Sequence, residues 1–150
     1  MDATYTWKQL DALETEEWFT MFQLRQEIFV VEQNCPYLDL DEEDRTSFHL
    51  LVQSSDTGAA VLATLRVFVG DHGVWHIGRV ATSEKCRGKG VARHMMEESL
   101  AFIQSKGGRE IEISAQSYLE KFYCSLDFVK SSDEYLLDGL PHIDMHWTIS

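Results

Sequence analysis

The pattern of apolar and polar positions divides the chain into two kinds of segment. Alternating apolar positions and short β-branched runs indicate strands, whereas apolar residues spaced by three or four positions indicate helices. We expect strands at residues 5–10, 48–53, 60–69, 74–83, 109–115, 128–130 and 142–149. We expect helices at residues 13–33, 91–105 and 118–125. This order, with an antiparallel meander before a β-loop-α-β unit, predicts an α+β fold with a mixed sheet.

The breaks between these segments carry recognisable turn residues. Pro36 ends the first helix, because a proline disfavours helical backbone in the residue before it. The run from Ser54 to Gly58 predicts a hairpin turn, and Gly107-Gly108 ends the second helix. We find no repeat, linker or low-complexity tract, so we interpret residues 1–150 as a single domain.

Composition narrows the class of protein. Hydrophobic residues make up 44% of the chain and the formal net charge is −12, which disfavours nucleic acid and anionic membranes as partners. No apolar run reaches the roughly 20 residues of a membrane helix, and no secretory signal is visible. The three cysteines form no CxxC pair, which is typical of reduced thiols. We therefore expect a cytoplasmic protein, and the sequence leaves a homodimer open.

The charges are unevenly distributed. Residues 79–93 contain five basic side chains against Glu84 alone, whereas residues 39–44 contain five acidic side chains and no basic one. The basic segment indicates an anion site, and the acidic segment indicates attraction of a cation, although a merely solvated loop is equally compatible with the acidic run.

The basic segment contains a short glycine loop, Arg87-Gly88-Lys89-Gly90, between a predicted strand and a predicted helix. The free N–H groups and positive dipole at a helix start suit a pyrophosphate, and glycines let backbone amides approach it closely. A Walker loop would need Ser or Thr after Lys89, and a GxGxxG fingerprint would need glycine at Arg93. The pattern that remains is Arg-x-x-Gly-x-Ala, at Arg87, Gly90 and Ala92.

This pattern resembles the coenzyme A pyrophosphate loop of the GNAT acetyltransferase superfamily. A second match is Phe-Tyr-x-x-Leu-Asp-Phe at 122–128, with Asp127 where the family usually has glycine, and Asp tolerates left-handed backbone comparatively well. Motifs around 24–41 and 139–145 are similar to the ElaA-like branch of that superfamily. The matches cover about residues 7–147. The resemblance implies a mostly antiparallel sheet with helices on both faces.

The resemblance also implies transfer of an acetyl group from acetyl-CoA to a primary amine by direct attack, without a covalent enzyme intermediate. It assigns binding of acetyl-CoA to a set of residues in the third long strand, the glycine loop and the next strand: Val80, Thr82, Arg87, Gly88, Lys89, Gly90, Val91, Ala92 and Gln116. It places Tyr123 where the superfamily often has the general acid for the departing thiolate.

The general base and the acceptor site are less defined by the sequence. Glu32 and His142 are candidate bases, because an ammonium must lose a proton before it attacks, and a water chain would serve equally. Arg25, Tyr37, Asp39 and Asp41 are candidate acceptor-binding residues. We expect a cationic small-molecule or protein amine to enter beside the two aspartates.

Three other interpretations were weighed. His142, Asp144 and His146 alternate along one strand and could share a face, but the sequence indicates no fourth ligand, so we expect no metal. A regulatory module that binds CoA without catalysis would keep the loop and lose the chemistry. An acyltransferase with a different acyl donor is the third possibility, because the first helix faintly resembles acyl-homoserine-lactone synthases.

Overall fold

A computed structural model describes residues 2–149 and contains one continuous sheet. The strands are β1 Ala3–Gln9, β2 Phe48–Ser54, β3 Ala63–Val69, β4 Trp75–Thr82, β5 Glu110–Gln116, β6 Val129–Lys130, β7 Tyr135–Leu137 and β8 Leu140–Thr148. The α-helices are α1 Thr15–Gln26, α2 Glu43–Thr46, α3 Val91–Ser105 and α4 Glu120–Cys124. The strand order is β1-β2-β3-β4-β5-β8-β6, with β7 on β8. The predicted α+β class with a mixed, mostly antiparallel sheet is confirmed.

Helices cover both faces of the sheet. In β2, Leu50 and Val52 belong to the main core with Met95 of α3, whereas Leu51 packs in a second cluster with Met21 of α1. Successive strand residues point to opposite faces, so an uninterrupted apolar run is what a strand buried on both sides requires. All three cysteines are free thiols. Within residues 2–149, every helix is too short or too polar to cross a lipid bilayer.

The first helix differs from the prediction of one helix at 13–33. Regular α1 ends at Gln26, and Glu27–Glu32 continues as a π-helix. The chain then turns at Asn34, whose φ of 51° is left-handed, before Pro36. Periodicity alone does not distinguish an α-helix from the wider π form, which is frequent at functional sites. The other predicted elements differ mainly at their ends, and β7 was not predicted.

Strands β4 and β5 form the parallel pair of the sheet, and they separate early. Pairing is limited to Trp75 with Ile111 and His76 with Glu112. Beyond these residues the β5-facing side of β4 has no strand partner, while β5 stays paired with β8 along its whole length. A cleft therefore opens between β4 and β5 toward their carboxyl ends.

A β-bulge lies in β4 where this separation begins. Thr64 pairs with Ala81 and Arg66 with Gly78, so one residue of β3 faces both Arg79 and Val80. Arg79 has a φ of 52°, a left-handed conformation that is strained for a residue with a side chain. Such bulges bend a strand and redirect its side chains.

Arg25 of α1 forms the centre of a buried ionic cluster. Its guanidinium is 1% exposed and donates from Nε to Asp39 Oδ2 at 2.8 Å. It also donates from Nη1 to Asp44 Oδ1 at 2.8 Å and from Nη2 to Asp44 Oδ2 at 3.1 Å. One residue of α1 thereby holds both the acidic loop and α2.

Two further arginines complete the cluster. Arg66 of β3 contacts Asp41 with both terminal nitrogens, at 2.6 and 3.1 Å, and lies 3.0 Å from Asp44 Oδ1. Arg79 of β4 lies 2.9 Å from Asp39 Oδ1 and 3.3 Å from Asp41 Oδ2. Three arginines therefore face the three aspartates Asp39, Asp41 and Asp44.

We expect Asp44→Asn to lower the free energy of unfolding at pH 7 by about 3–5 kcal/mol, because it leaves the three arginines of the cluster with only two carboxylates. Burial by itself would raise the pKa of Asp44, but hydrogen bonds and charge from Arg25 outweigh it and lower the pKa to about 2. A lowered pKa contributes stability above the unfolded value of about 3.9 that is lost as the pH falls toward 2. The penalty should therefore be smaller at pH 3 than at pH 7, measured by urea unfolding.

Glu43→Gln is the matched control, since Glu43 is exposed on the same short helix. Equal unfolding free energies for the two variants at pH 7 would contradict a structural role for the cluster.

Candidate functional site

A cavity of about 530 Å³ occupies the cleft between β4 and β5. Its walls come from both splayed strands, the π-helix and the loop after it, the start of α3, the α4 region and the β7–β8 hairpin. Volumes of this size suit small-molecule ligands. The cavity is therefore the candidate site.

The cavity brings together many of the predicted site residues. Those in its lining are Tyr37, Asp39, Val80, Thr82, Ala92, Gln116, Tyr123 and His142. The glycine loop with Val91 lies beside the cavity, directly before Ala92. Arg25, Glu32 and Asp41 are outside the lining.

The glycine loop has the geometry of an anion site. Gly88 and Gly90 both have a φ of 75°, and a Cβ at either position would meet no atom within 4 Å. Gly90 begins α3 without a side-chain cap, and the first turn contains no acidic residue. Among the hydrogen bonds of residues 2–149, the N–H groups of Gly88, Gly90, Val91 and Ala92 have no acceptor. These free donors at the positive end of a 15-residue helix favour a bound phosphate group.

Arg87 is one of the two cations of this loop, with Lys89, and in the structure it contacts Glu32. Its Nη2 lies 2.9 and 3.2 Å from the two carboxylate oxygens of Glu32, at the end of the π-helix. Both side chains are about half exposed. This ion pair links the π-helix to the glycine loop, and Glu32 lies outside the cavity lining.

Tyr123 of α4 is buried against aromatic neighbours. Its ring makes edge contacts with Phe122 and Phe128, at centroid distances of 5.1 and 5.9 Å. Burial raises the pKa of Tyr123 to about 12. Within residues 2–149 its hydroxyl has no hydrogen-bond partner. At neutral pH the side chain is a protonated phenol in the cavity wall, available to donate one hydrogen bond.

Asp127 follows Tyr123 at the position where the resembling motif has glycine. Its φ is 72°, so the left-handed turn expected from the sequence is present with aspartate in place of glycine. The turn is closed by the amide of Phe128, which donates to the carbonyl of Tyr123 at 3.1 Å.

His142 lies near the start of β8 with one ring nitrogen engaged. Nδ1 is 2.8 Å from the carbonyl oxygen of Leu140. A carbonyl only accepts, so Nδ1 carries the proton in this bond, and Nε2 of the neutral ring is left with a lone pair. The imidazole is nearly buried in the cavity wall, and Tyr135 stacks on it at a centroid distance of 6.2 Å. The Tyr135 hydroxyl donates to Asp144 Oδ1 at 2.5 Å.

No group of His, Cys, Asp or Glu residues within 2–149 is arranged to hold a metal ion. Asp144, which alternates with His142 and His146 along β8, accepts hydrogen bonds from Tyr135 and from Ser114. Asp144 therefore links β8 to β5 and β7 by hydrogen bonds.

The acidic segment differs from the expectation of unpaired carboxylates. Asp39 lines the cavity but is 8% exposed and paired with Arg25 and Arg79, while Asp41 pairs with Arg66 and Arg79. Arg25 is buried outside the cavity lining, in contact with Asp39 and Asp44. The charge that motivated an acceptor site here is thus already neutralised, and acceptor binding by Arg25, Asp39 or Asp41 stays a prediction.

Sequence reasoning missed several residues of the site. Arg79 lines the cavity and was noted only as part of the basic segment. Tyr135 covers His142 from a strand that was not predicted. Cys35 lines the cavity, and its Sγ contacts the Asp138 carbonyl at 3.3 Å. Their positions depend on contacts distant in the sequence. A usable signal existed only for Arg79, in the basic run before the glycine loop.

Comparison with known proteins gives a consistent result. The family model described as an acetyltransferase (GNAT) domain matches residues 15–149. Protein ElaA of Escherichia coli K12 is 34% identical over 146 residues, which cover 93% of this chain and 94% of ElaA. The crystal structure of E. coli ElaA has a TM-score of 0.85 over 96% of this chain and 98% of its own.

Two further structures are similar. An acyl-CoA N-acyltransferase from Pseudomonas aeruginosa is 33% identical, with a TM-score of 0.88 over 97% of this chain and 99% of its own. The CoA-dependent acyl-homoserine lactone synthase BjaI has a TM-score of 0.80 over 99% of this chain and 84% of its own. At 15% identity BjaI shows a shared fold alone.

We expect nitrogen-detected NMR at neutral pH to show His142 as the tautomer protonated on Nδ1, because the Leu140 carbonyl requires a donor there. The His142→Gln spectrum assigns the resonances by their loss. Signals of a neutral ring protonated on Nε2 would contradict this arrangement.

Proposed function

The chain belongs to the acetyltransferase (GNAT) family, and we propose that it moves an acetyl group from acetyl-CoA to a primary amine. The observation that carries the proposal is the uncapped start of α3, with its left-handed glycines and free amides beside the cleft between β4 and β5. The three free thiols support a cytoplasmic location as part of the same proposal.

We assign residues of the glycine loop and the cleft to the pyrophosphate and the pantetheine arm of acetyl-CoA. The amides of residues 88–92 would hold the pyrophosphate, with Arg87 and Lys89 adding positive charge. The backbone of Val80 and Thr82, on the part of β4 without a β5 partner, would pair with the pantetheine amides. Gln116 at the end of β5 would contact the same arm from the opposite wall.

The chemistry assigned to the cavity is direct acyl transfer. His142 Nε2 takes a proton from the ammonium group, the neutral amine nitrogen forms a bond to the thioester carbonyl carbon, and the carbon–sulfur bond breaks. Tyr123 donates its hydroxyl proton to the departing sulfur. The second proton of the attacking nitrogen then restores the Tyr123 hydroxyl, and His142 releases its proton to solvent. The products are an amide and free CoA, without an acyl-enzyme intermediate. We prefer His142 to Glu32 as the base, because His142 lines the cavity with a free lone pair and Glu32 is bound to Arg87.

Two alternatives remain distinguishable by experiment. A regulatory module would bind CoA but release no thiol with any amine. The presence of both His142 and Tyr123 in the cavity lining favours catalysis. An acyltransferase with a different donor would need cavity space that grows with the length of the acyl chain. Comparing the rates with acetyl-CoA and hexanoyl-CoA as donors would distinguish it from an acetyltransferase.

We expect acetyl-CoA to stabilise the protein against thermal unfolding, by about 2.7 kcal/mol at a concentration 100-fold above Kd. Gly90→Val should abolish this stabilisation, since the new side chain fills the space in which we place the pyrophosphate. Differential scanning fluorimetry with and without acetyl-CoA measures both effects.

Gly58→Val provides the matched control. Gly58 has a φ of 65° and equally open surroundings, but it lies in the β2–β3 turn, so it carries the same backbone strain without touching the loop. Loss of the acetyl-CoA shift in both variants, or in neither, would contradict the loop assignment.

We expect Tyr123→Phe to lower kcat by about 100-fold or more while leaving the Kd of acetyl-CoA nearly unchanged, because the ring packing stays and the proton donor is lost. Steady-state release of the CoA thiol, with any amine that the parent acetylates, gives kcat. Tyr118→Phe is the control, since Tyr118 is 76% exposed on the preceding turn. An unaltered kcat in Tyr123→Phe would leave Tyr123 with a packing role only.

A further inference from the structure

The loop after the π-helix has its polarity reversed relative to an ordinary surface loop. Asp39 is 8% exposed, whereas Leu38 before it is 90% exposed and Leu40 after it is 55% exposed. Tyr37 is also 55% exposed. The charged side chain points inward and three large apolar side chains point to solvent. Exposed apolar side chains that cluster at a cavity mouth often mark a binding surface.

The ionic cluster explains why the loop adopts this orientation. Asp39 is held by Arg25 and Arg79, and the Arg79 guanidinium also donates to the Asp39 carbonyl at 3.0 and 3.2 Å. With both its side chain and its carbonyl fixed, Asp39 cannot rotate outward without breaking its ion pairs with Arg25 and Arg79. Its neighbours Leu38 and Leu40 must then face solvent.

A second apolar segment faces this loop across the cavity. Leu137 of β7 lines the cavity together with Tyr37 and Leu38. The contact between Cys35 Sγ and the Asp138 carbonyl joins the two segments. We call Tyr37, Leu38 and Leu137 the apolar lip. It lies on the side of the cavity that also contains His142, away from the glycine loop.

The charge of this region does not suit a polyamine. Asp39 is neutralised by arginines, so Asp138 is the carboxylate of the lining for which no ion pair occurs among residues 2–149. One free carboxylate can balance one ammonium group. A second or third ammonium would instead meet Arg79 or the apolar side chains.

We propose that the acceptor is a small primary monoamine carried on an apolar body, such as an arylalkylamine, which the apolar lip holds with its nitrogen toward His142. This inference rests on the proposed acetyl transfer and adds the class of acceptor. A small molecule is favoured because the acceptor shares a cavity of about 530 Å³ with the acetylated arm of the donor.

The test compares phenethylamine with putrescine as acceptors of the full-length chain, by release of the CoA thiol. We expect kcat/KM to be about tenfold or more higher for phenethylamine, the range in which hydrophobic pockets discriminate. Leu38→Asn should reduce kcat/KM for phenethylamine by about tenfold and leave the KM of acetyl-CoA unchanged. Leu136→Asn is the matched control, since Leu136 is 72% exposed on β7 but outside the cavity lining, and it should behave like the parent.

The outcomes separate this inference from the proposed function. Faster turnover of putrescine would leave acetyl transfer standing and overturn the apolar lip. Turnover of the peptide Phe-Gly-Gly but not of phenethylamine would overturn the assignment of a small acceptor. A Leu38→Asn variant that matches the parent with phenethylamine would also refute the inference.

Binding gives a readout that does not depend on turnover. We expect saturation transfer from the CoA-loaded protein to the aromatic protons of phenethylamine, measured by NMR, and its loss in Leu38→Asn but not in Leu136→Asn. That result would support the lip even if acetyl transfer fails, whereas the absence of any signal in the parent would overturn it.

Discussion

The bulge at Arg79 is the constraint on which the rest of the site depends. Its left-handed backbone lies where β4 begins to leave β5, and that separation creates the cleft. The strain of such a residue is about 1–3 kcal/mol, which needs compensation from its surroundings. The Arg79 side chain supplies it, because its guanidinium binds the Asp39 carboxylate and carbonyl. The same residue thus lies in the part of β4 that borders the cleft and fixes the loop that forms one wall.

The two ends of the cleft differ in their electrostatic character. At the glycine loop the protein presents unpaired donors and positive charge, and the Glu32 carboxylate partly balances that charge through its contact with Arg87. Exposed ion pairs of this kind contribute roughly 0–1 kcal/mol, so an incoming phosphate can displace Glu32 at little cost. At the other end the three aspartates of the acidic segment pair with arginines, and the cavity mouth beside them presents apolar side chains.

The sequence predicted features that depend on adjacent residues, such as turns. It did not predict which distant residues come together in the fold. Asp127 was expected to tolerate a left-handed turn, because a turn depends on a few adjacent residues, and its φ of 72° confirms this expectation. The partners of Asp41 lie 25 and 38 residues away on two strands, so no spacing rule could join them. The acidic segment therefore looked free in the sequence and is paired in the fold.

The candidate acid and base show the same limit of prediction from the sequence. Tyr123 and His142 were singled out on separate segments, and only the fold places both in one cavity wall. What the structure adds is the state of each group. Burial keeps the Tyr123 phenol protonated, and the Leu140 carbonyl keeps the lone pair of His142 on Nε2. The proposed direct transfer between an amine and a thioester requires one group that carries a proton and one that offers a lone pair, and Tyr123 and His142 match these two roles.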